Sequence, residues 1–266
     1  MRNVTMVKAV AALLLGAAPA LRGAEVPRQA DAKGQLKHAA GLKKGLRGLK
    51  GEERRTQLQS IAEAYASVGK FFPEAGAEAA EASFRLGEVR RTLGDRDGAM
   101  AAFERTVELK AHRRFGARAM LEIGHLYRRA KKLPDAAATY EKAAKEYSDL
   151  PDQRDAAWLW AGRVRFAMKD NAGARTAWSL VTEKSTDPLD QIRAYDLIAG
   201  SFIAEGKTTE AHATVEKCQH ALAPAAEEPS SKGSRVKRAL ERMKSLNKLS
   251  PDVAEADGGD DEEQEG

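Results

Sequence analysis

Residues 120–143, MLEIGHLYRRAKKLPDAAATYEKA, contain two runs with helical spacing separated by a short polar segment. In the first run Met120, Ile123 and Tyr127 lie three and four residues apart, and the second run, from Ala136, has the same spacing. Such intervals place apolar side chains on one face of a helix. The polar segment between the runs ends one helix and caps the next. The stretch therefore predicts a helical hairpin.

The same pattern recurs along the chain with a period of about 37 residues. An alanine in the second helix recurs at steps of 37, 38 and 37 residues, and a larger residue follows each alanine after four positions. The alanines are Ala99, Ala136, Ala174 and Ala211, and the residues that follow them are Phe103, Tyr140, Trp178 and Val215. The first helix repeats as well, with Ser83, Leu86, Gly87 and Arg90; Met120, Ile123, Gly124 and Tyr127; Trp158, Ala161, Gly162 and Arg165; and Tyr195, Ile198, Ala199 and Phe202. The sequence thus predicts four hairpins in register.

Each hairpin has small residues where its first helix (helix A) and its second helix (helix B) are expected to cross. In helix A these are Gly87, Gly124, Gly162 and Ala199. Small side chains let two helix backbones approach closely, and a larger side chain would force them apart. Asp187 and Pro188 supply an N-cap and a first-turn proline for the fourth helix A, and Pro151 is expected to do so for the third.

The array resembles the tetratricopeptide repeat, whose helix A carries Trp, Leu, Gly and Tyr and whose helix B carries Ala and Phe. The resemblance covers about residues 80–222. The chain departs from the family in its longer period, its late or missing closing proline, and Arg90 and Arg165 at the tyrosine position. The resemblance implies an all-α, right-handed α-solenoid of four clear helix-turn-helix repeats, with a degenerate N-terminal repeat and a C-terminal capping helix. Periods of this length resemble the tetratricopeptide domains of bacterial envelope-assembly proteins.

The N-terminus has the features of a secretory signal peptide over residues 1–20. Arg2 and Lys8 are basic, an uncharged apolar stretch follows, and Ala18-Pro19-Ala20 supplies small residues for cleavage. The apolar run is too short to cross a bilayer of about 30 Å as a helix, although an uncleaved anchor or an ordinary helix stays an alternative. We expect a periplasmic or secreted protein without stable membrane insertion. No cysteine follows the run, so lipid attachment is not supported.

Residues 21–52 are expected to form a basic, partly disordered segment before a repeat domain at 53–222. Within that domain, residues 54–70 predict a helix B of the degenerate repeat. Its helix A, QLKHAAGLKKGLRGLK, contains glycines that each cost about 1 kcal/mol in a helix. A basic helix with aligned leucines could instead lie on a membrane surface.

The C-terminal flank combines a basic helix with an acidic tail. Residues 232–249 are predicted to cover the exposed apolar end of the array, as terminal repeats require. Residues 250–266 lack the apolar content needed to fold, and we expect them to be disordered. The whole chain has a net charge of +5, but 251–266 holds eight acidic residues and no basic ones, whereas 21–250 holds 42 basic and 31 acidic residues. A basic body thus carries an acidic tail.

Motifs for catalysis, cofactors or metals are not found in the sequence, and we expect no enzyme activity. There is no glycine-rich phosphate loop, HExxH or GxSxG. An EF-hand loop ending at Glu104 would place Leu93 at a calcium ligand position, so Asp95 or Asp97 is interpreted as a helix cap instead. Cys218 falls at a small packing position and is predicted to be a buried structural thiol, and His220, two residues later on the same helix, is not expected to face it as the base of a Cys/His pair. The other histidines, His38, His112, His125 and His212, lack metal spacing.

The inner face of the solenoid is the expected binding surface, because helix A residues line the groove in this family. Carried over position by position, the partner groove comprises Phe84, Glu88, Arg91, Arg118, Leu121, His125, Arg128, Arg129, Leu159, Arg163, Phe166, Arg193 and Asp196. Its arginines suit carboxylates, and Phe84, Leu121, Leu159 and Phe166 could hold apolar side chains.

These features favour a non-catalytic scaffold of the bacterial envelope that binds partner peptides, including acidic or carboxylate-terminated ones. The chain's own acidic tail could compete for the same groove. Two alternatives stay open: an adaptor that binds nucleic acid or a membrane surface through its basic residues, and an accessory subunit of an envelope enzyme complex. Export makes nucleic acid the less favoured partner.

Overall fold

The structure, a computed structural model, describes residues 26–244. This range contains eleven α-helices, one 3₁₀-helix and no strand. The elements are α1 (Ala32–Gly41), the 3₁₀-helix (Leu42–Leu46), α2 (Gly51–Phe71), α3 (Gly76–Thr92), α4 (Arg96–Leu109), α5 (Arg113–Arg129), α6 (Leu133–Glu146), α7 (Pro151–Ala167), α8 (Asn171–Lys184), α9 (Pro188–Ala204), α10 (Thr208–Glu227) and α11 (Ser231–Met243). The predicted signal peptide (1–20), the predicted acidic tail (250–266) and the end of the predicted capping helix lie outside the described residues.

Consecutive helices pair into the four predicted hairpins, α3 with α4, α5 with α6, α7 with α8, and α9 with α10. Every helix A of these repeats has 17 residues, and the first three helices B have 14. Helices A of neighbouring repeats also contact one another, whereas helices B in residues 26–244 make no contact of similar extent. The array therefore curves with its helices A on the inner side.

The crossing of helix A and helix B is a close contact between a small residue and a larger side chain. A Cβ added to Gly87, Gly124 or Gly162 would lie less than 3.0 Å from the ring of Phe103, Tyr140 or Trp178, respectively. In the fourth repeat Ala199 and Val215 replace the pair, and both are buried. The predicted role of the small residues is confirmed.

The turns between helix A and helix B share one backbone conformation. Gly94 and Gly206 have φ of 80° and 73°, and Lys131 and Lys169 take φ of 61° and 66° at the equivalent places. A left-handed residue ends a helix favourably because it lets nearby amides satisfy the last carbonyl groups. The packing of the hairpin thus determines the left-handed conformation of this turn residue, even where the residue is lysine and not glycine.

Helix starts follow the predicted capping residues. The Asp95 side chain accepts a hydrogen bond from the Gly98 amide at 2.9 Å, which confirms it as a cap of α4. Asp187 accepts from the Leu189 amide at 2.9 Å, with Pro188 at the first position of α9. Side-chain oxygens satisfy amides that a helix leaves without partners at its N-terminus.

The segment before the repeats differs from the expectation of partial disorder. Residues 32–46 form α1 and the 3₁₀-helix, and α1 contacts α2 and α3 as a helix A does. Gly41 is the last residue of α1, and Gly45 lies beyond it in the 3₁₀-helix. These two glycines therefore do not interrupt the α-helix, and the predicted cost of placing them inside one does not arise. Leu42 and Leu46 pack against the core of α2, which removes the apolar face that a membrane-surface helix would need.

The predicted capping helix is present as α11, and the last helix B is longer than expected. α10 continues to Glu227, past the predicted boundary at 222. From α11, Val236, Leu240 and Met243 are buried in the same cluster as Cys218. Burial raises the pKa of the Cys218 thiol to about 12, so the predicted buried thiol is confirmed. None of the described helices is both apolar enough and long enough to span a membrane.

Candidate binding face on the inner side

The predicted groove residues lie on α3, α5, α7 and α9, but two of them do not reach the surface. Phe84 is 1% exposed and Leu159 is 2% exposed. The Phe84 ring packs 5.6 Å from that of Phe103 and 5.3 Å from that of Phe115, and Leu159 packs in a cluster with Trp178. The prediction that Phe84 and Leu159 line an open groove is wrong, because both are covered by the neighbouring helices.

Leu121 and Phe166, the other two apolar groove residues, are partly buried. Leu121 packs against the core clusters of the second and third repeats. The Phe166 ring lies 6.2 Å from that of Trp178. Of the four predicted apolar groove residues, only Leu121 and Phe166 are therefore partly accessible on the inner face.

Arginines on α3 and α5 are paired with carboxylates. Arg118 lies 3.5 Å from Glu88, and Arg85 lies 3.1 Å from the same carboxylate group. Arg91 lies 3.5 Å from Glu122 across the two helices. These ion pairs neutralise much of the positive charge expected in the N-terminal half of the groove.

Arginines on α5 and α7 instead surround an indole ring. The guanidinium carbons of Arg128 and Arg163 lie 5.0 and 4.9 Å from the ring centre of Trp160. Burial, followed by the charges of Arg193 and Arg128, lowers the pKa of Arg163 to about 10. No carboxylate among residues 26–244 lies within ion-pair distance of Arg163. We call Arg128, Trp160 and Arg163 the arginine–tryptophan cluster.

His125 links this cluster to the core of the second repeat. Its Nδ1 lies 2.6 Å from the Tyr140 hydroxyl, and its ring meets the Trp160 ring edge-on with centroids 4.9 Å apart. The charge of Arg128 also acts on the Tyr140 hydroxyl, where it opposes the rise in pKa that burial causes. Burial, followed by nearby arginines, lowers the pKa of His125 to about 3. The imidazole is therefore neutral at physiological pH.

The remaining predicted residues border the cluster. Arg129 is half-buried at the end of α5 and lies near enough to depress the pKa of His125. Arg193 is exposed and pairs with Asp190 at 2.9 Å. Burial raises the pKa of Asp196, and Arg242 of α11 opposes that shift. The C-terminal part of the inner face thus extends toward the capping helix.

Sequence reasoning missed two residues of this face, Glu122 and Trp160, and one buried residue behind it, Tyr140. Glu122 and Trp160 occupy the sixth position of helix A, which the family pattern does not assign to the groove. Trp160 precedes Arg163 by three residues, and this spacing places two side chains on one helix face, so a signal for it was present. Tyr140 comes from helix B and lies behind the inner face only because Gly124 leaves room above its ring.

Metal-binding side chains do not cluster in the described part of the chain. Between residues 26 and 244, no three His, Cys, Asp or Glu side chains could hold a metal ion. Cys218 is buried whereas His220 is exposed, so the two side chains do not face each other. Cys218 and His220 therefore do not form a pair of nucleophile and base.

Comparison with known proteins identifies the repeat. A tetratricopeptide-repeat family model matches residues 81–109 and 118–149, the first two repeats. The fold is similar to a crystal structure of MamA, with a TM-score of 0.52, 18% identity and coverage of 75% of this chain and 98% of that one. It is also similar to nearly identical TPR-like repeats of a kinesin light chain protein from Podosopora anserina, with a TM-score of 0.50, 15% identity and coverage of 72% and 94%. No curated protein matches the sequence significantly.

Stacked helical hairpins with a curved inner face define the class of α-solenoid interaction scaffolds. Within that class, the family match shows the first two hairpins to be tetratricopeptide repeats, and the array as a whole has a fold similar to TPR-like repeats. The predicted fold class, an all-α right-handed α-solenoid, is confirmed. At these low identities the structural similarity concerns the fold alone.

Proposed function

We propose that this protein is a non-catalytic scaffold of the bacterial cell envelope whose arginine–tryptophan cluster binds a carboxylate-bearing peptide segment of a partner protein. Tetratricopeptide repeats commonly act as interaction scaffolds, which supports the general class. The envelope location rests on the sequence of residues 1–20, which has the pattern of a secretory signal.

The observation that carries the proposal is the environment of Arg163. Its guanidinium group is largely removed from water, stacks on Trp160 and is close enough to Arg128 and Arg193 to be affected by their charges. No carboxylate in the described range compensates it. A buried or half-buried charge without an opposite charge is costly, so an anionic ligand would relieve an unfavourable arrangement already present in the protein.

The chemistry of the site favours a carboxylate over a simple apolar ligand. A guanidinium group presents several donors in a planar fork that matches the two oxygens of a carboxylate. Since Arg128 and Arg163 lie against the same ring, a bound carboxylate could accept hydrogen bonds from both. The arginines on α3 and α5 are already paired with carboxylates, so an acidic segment would gain less there than in the C-terminal half of the face.

Binding of defined peptides tests this proposal. A fluorescent peptide rich in glutamate and a matched peptide with glutamine in its place are titrated with the full chain. We expect the glutamate peptide to bind more tightly, with an affinity that falls as salt rises. Arg163→Glu should abolish the difference between the peptides, whereas Arg105→Glu, a charge reversal at an exposed position on α4, should keep it.

Two outcomes would contradict the proposed function. Equal binding of the two peptides would show that carboxylates are not recognised. Much tighter binding of a single-stranded oligonucleotide of the same net charge would favour a nucleic-acid adaptor, because aromatic rings and arginines also bind bases. For the location, N-terminal sequencing of the protein from an envelope fraction is expected to find a chain that begins after Ala20.

A further inference from the structure

We propose that the cleft between α9 and α11 binds the acidic segment 251–266 of the same chain. The cleft has a volume of about 490 Å³. It is lined by Leu189, Ile192, Arg193, Asp196, Arg235, Arg238, Ala239 and Arg242. We call it the capping-helix cleft. It adjoins the inner face through Arg193, but its existence does not depend on which partner that face binds.

The cleft forms because α11 packs on the array with one face only. Val236, Leu240 and Met243 of α11 are buried against α9 and α10. The arginines of α11 fall on the side next to this apolar stripe and remain exposed. The apolar stripe of α11 is therefore sufficient to cap the array. The arginines beside the stripe take no part in this packing.

Positive charge dominates the cleft. Arg235, Arg238 and Arg242 have no carboxylate within ion-pair distance among residues 26–244. Glu241, the acidic residue of α11, lies 2.5 Å from Lys244. Asp196 of α9 is the single carboxylate of the lining, and it is half-buried. Because Arg193 is paired with Asp190, three arginines of α11 face one acid, a combination suited to an extended segment with several carboxylates.

The acidic segment is the occupant that the chain itself supplies. Residues 251–266 carry eight acidic residues and no basic ones, and the chain leads into them directly from Lys244, two residues after Arg242. The 22 residues from 245 to 266 span at most about 70 Å, whereas α11 with its 13 residues is about 20 Å long. The segment is therefore long enough to reach along the whole of α11. Because it is tethered to α11, its effective concentration at the cleft is about millimolar.

Self-binding would compete with external acidic ligands. A bound tail would place carboxylates beside Arg193 and so reduce the positive potential at the arginine–tryptophan cluster. The competition would weaken as salt rises, because the attraction between exposed charges is screened. An external acidic partner would then bind only if its affinity or concentration is high enough to compete with the tail.

The test uses a fluorescent synthetic peptide of residues 251–266 and measures its anisotropy on titration with the full-length protein. A second protein has the same length but an uncharged tail, with Asp252, Asp257, Asp260 and Asp261 changed to Asn and Glu255, Glu262, Glu263 and Glu265 changed to Gln. We expect the uncharged-tail protein to bind the peptide at least about tenfold more tightly at low salt, because its cleft is not occupied in cis. At high salt the two proteins should differ little.

Matched substitutions locate the binding site. In the uncharged-tail protein, Arg235→Gln with Arg238→Gln should weaken peptide binding about tenfold or more. Lys142→Gln with Lys217→Gln removes two exposed positive charges from α6 and α10 and should change binding less than twofold. Both pairs are at exposed positions, and circular dichroism confirms that the fold is kept.

Several results would overturn the proposal. Equal peptide affinity of the native and uncharged-tail proteins would show that the cleft is open in the native chain. An unchanged affinity after the two arginine substitutions would place the tail elsewhere. A native protein that dimerises through its tail, seen by sedimentation as a tail-dependent dimer, would mean that the occupant is a second copy. None of these results affects the test of Arg163, so the proposed function stands or falls separately.

Discussion

The contact between helix A and helix B repeats along the array, whereas the inner face changes from one repeat to the next. Glycine meets a large aromatic ring at the crossing in the first three repeats, and an alanine meets a valine in the fourth. On the inner face, α3 and α5 carry paired arginines and glutamates, and the arginine–tryptophan cluster follows on α5 and α7.

This difference separates the residues that build the protein from those that give it specificity. A crossing of two helices has one geometry, so every repeat must fill the same volume with a complementary pair. The inner face has no such requirement, because most of its side chains are at least partly exposed to solvent. Residues that depart from the repeat there, such as Trp160 and Arg163, thus distinguish the third repeat of this chain from its neighbours.

The largest expected effect comes from breaking the crossing. Gly162→Ala would place a methyl group less than 3.0 Å from the Trp178 ring. It would also disturb the hydrogen bond that Trp178 Nε1 donates to the Leu159 carbonyl, 3.1 Å long. We expect a loss of about 3 kcal/mol or more in the free energy of unfolding, measured by urea denaturation.

The fourth repeat provides the control for that substitution. Ala199→Gly removes a methyl group beside Val215 and should cost only about 1 kcal/mol, mostly through lower helix propensity. A Gly162→Ala protein as stable as the wild type would mean that the crossing tolerates a Cβ and that the glycines have another role.

The crossing could be predicted from the sequence because it follows from local spacing. Gly124 and Tyr140 lie 16 residues apart in one hairpin, and a period of about 37 repeats their relation. Caps such as Asp95 and Asp187 were predictable for the same reason, since a capping side chain binds an amide two or three residues away.

The inner face could be predicted only in part, because it depends on the rotation of one repeat against the next. That rotation buries Phe84 and Leu159 and brings Trp160 of the third repeat to His125 of the second. A family pattern gives positions within a repeat, but it does not give which side chains of neighbouring repeats meet. The neutralisation of Arg91 by Glu122 was missed for the same reason.

His125 connects the two regions, so its titration should affect stability. Its pKa is about 3 in the folded protein, compared with about 6.5 for an unperturbed histidine. Below pH 6.5 the unfolded chain therefore binds a proton that the folded protein does not, and stability falls as the pH falls. Between pH 6.5 and 4.5 we expect a loss of about 2 kcal/mol from this group, measured by urea denaturation at a series of pH values.

His125→Gln is the matched variant, because it keeps a polar side chain but does not titrate. Its stability should change less than that of the wild type over the same pH range. A pH dependence identical in both proteins would show that His125 is protonated without cost in the folded state.

Neutralising one arginine in each half of the inner face should change the free energy of unfolding by unequal amounts. Arg91→Gln removes the cation paired with partly buried Glu122 and should cost about 1 kcal/mol. Arg163→Gln relieves repulsion from Arg128 and Arg193 but loses contact with Trp160, so we expect a change within about 0.5 kcal/mol.

Salt dependence separates these two variants further. Moderate salt screens the repulsion among the arginines and should stabilise the wild type. The Arg163→Gln protein should gain less from salt, whereas the Arg91→Gln protein should gain at least as much as the wild type. Equal costs and equal salt responses for both substitutions would remove the distinction between the two halves of the face.

The smallest expected effect concerns the turn, which belongs with the repeated framework. Lys169 has φ of 66°, and Gly206 has φ of 73° at the equivalent place in the next repeat. Lys169→Gly should stabilise the protein by about 0.5 kcal/mol. Glycine adopts this conformation without strain, and this gain is partly offset because glycine makes the unfolded chain more flexible. Gly206→Ala should destabilise the protein by about 1 kcal/mol.

Thermal denaturation measures both changes, and opposite signs are required if the hairpin rather than the residue determines the turn. Peptide binding at the arginine–tryptophan cluster should be the same in both variants, because neither turn residue belongs to the inner face.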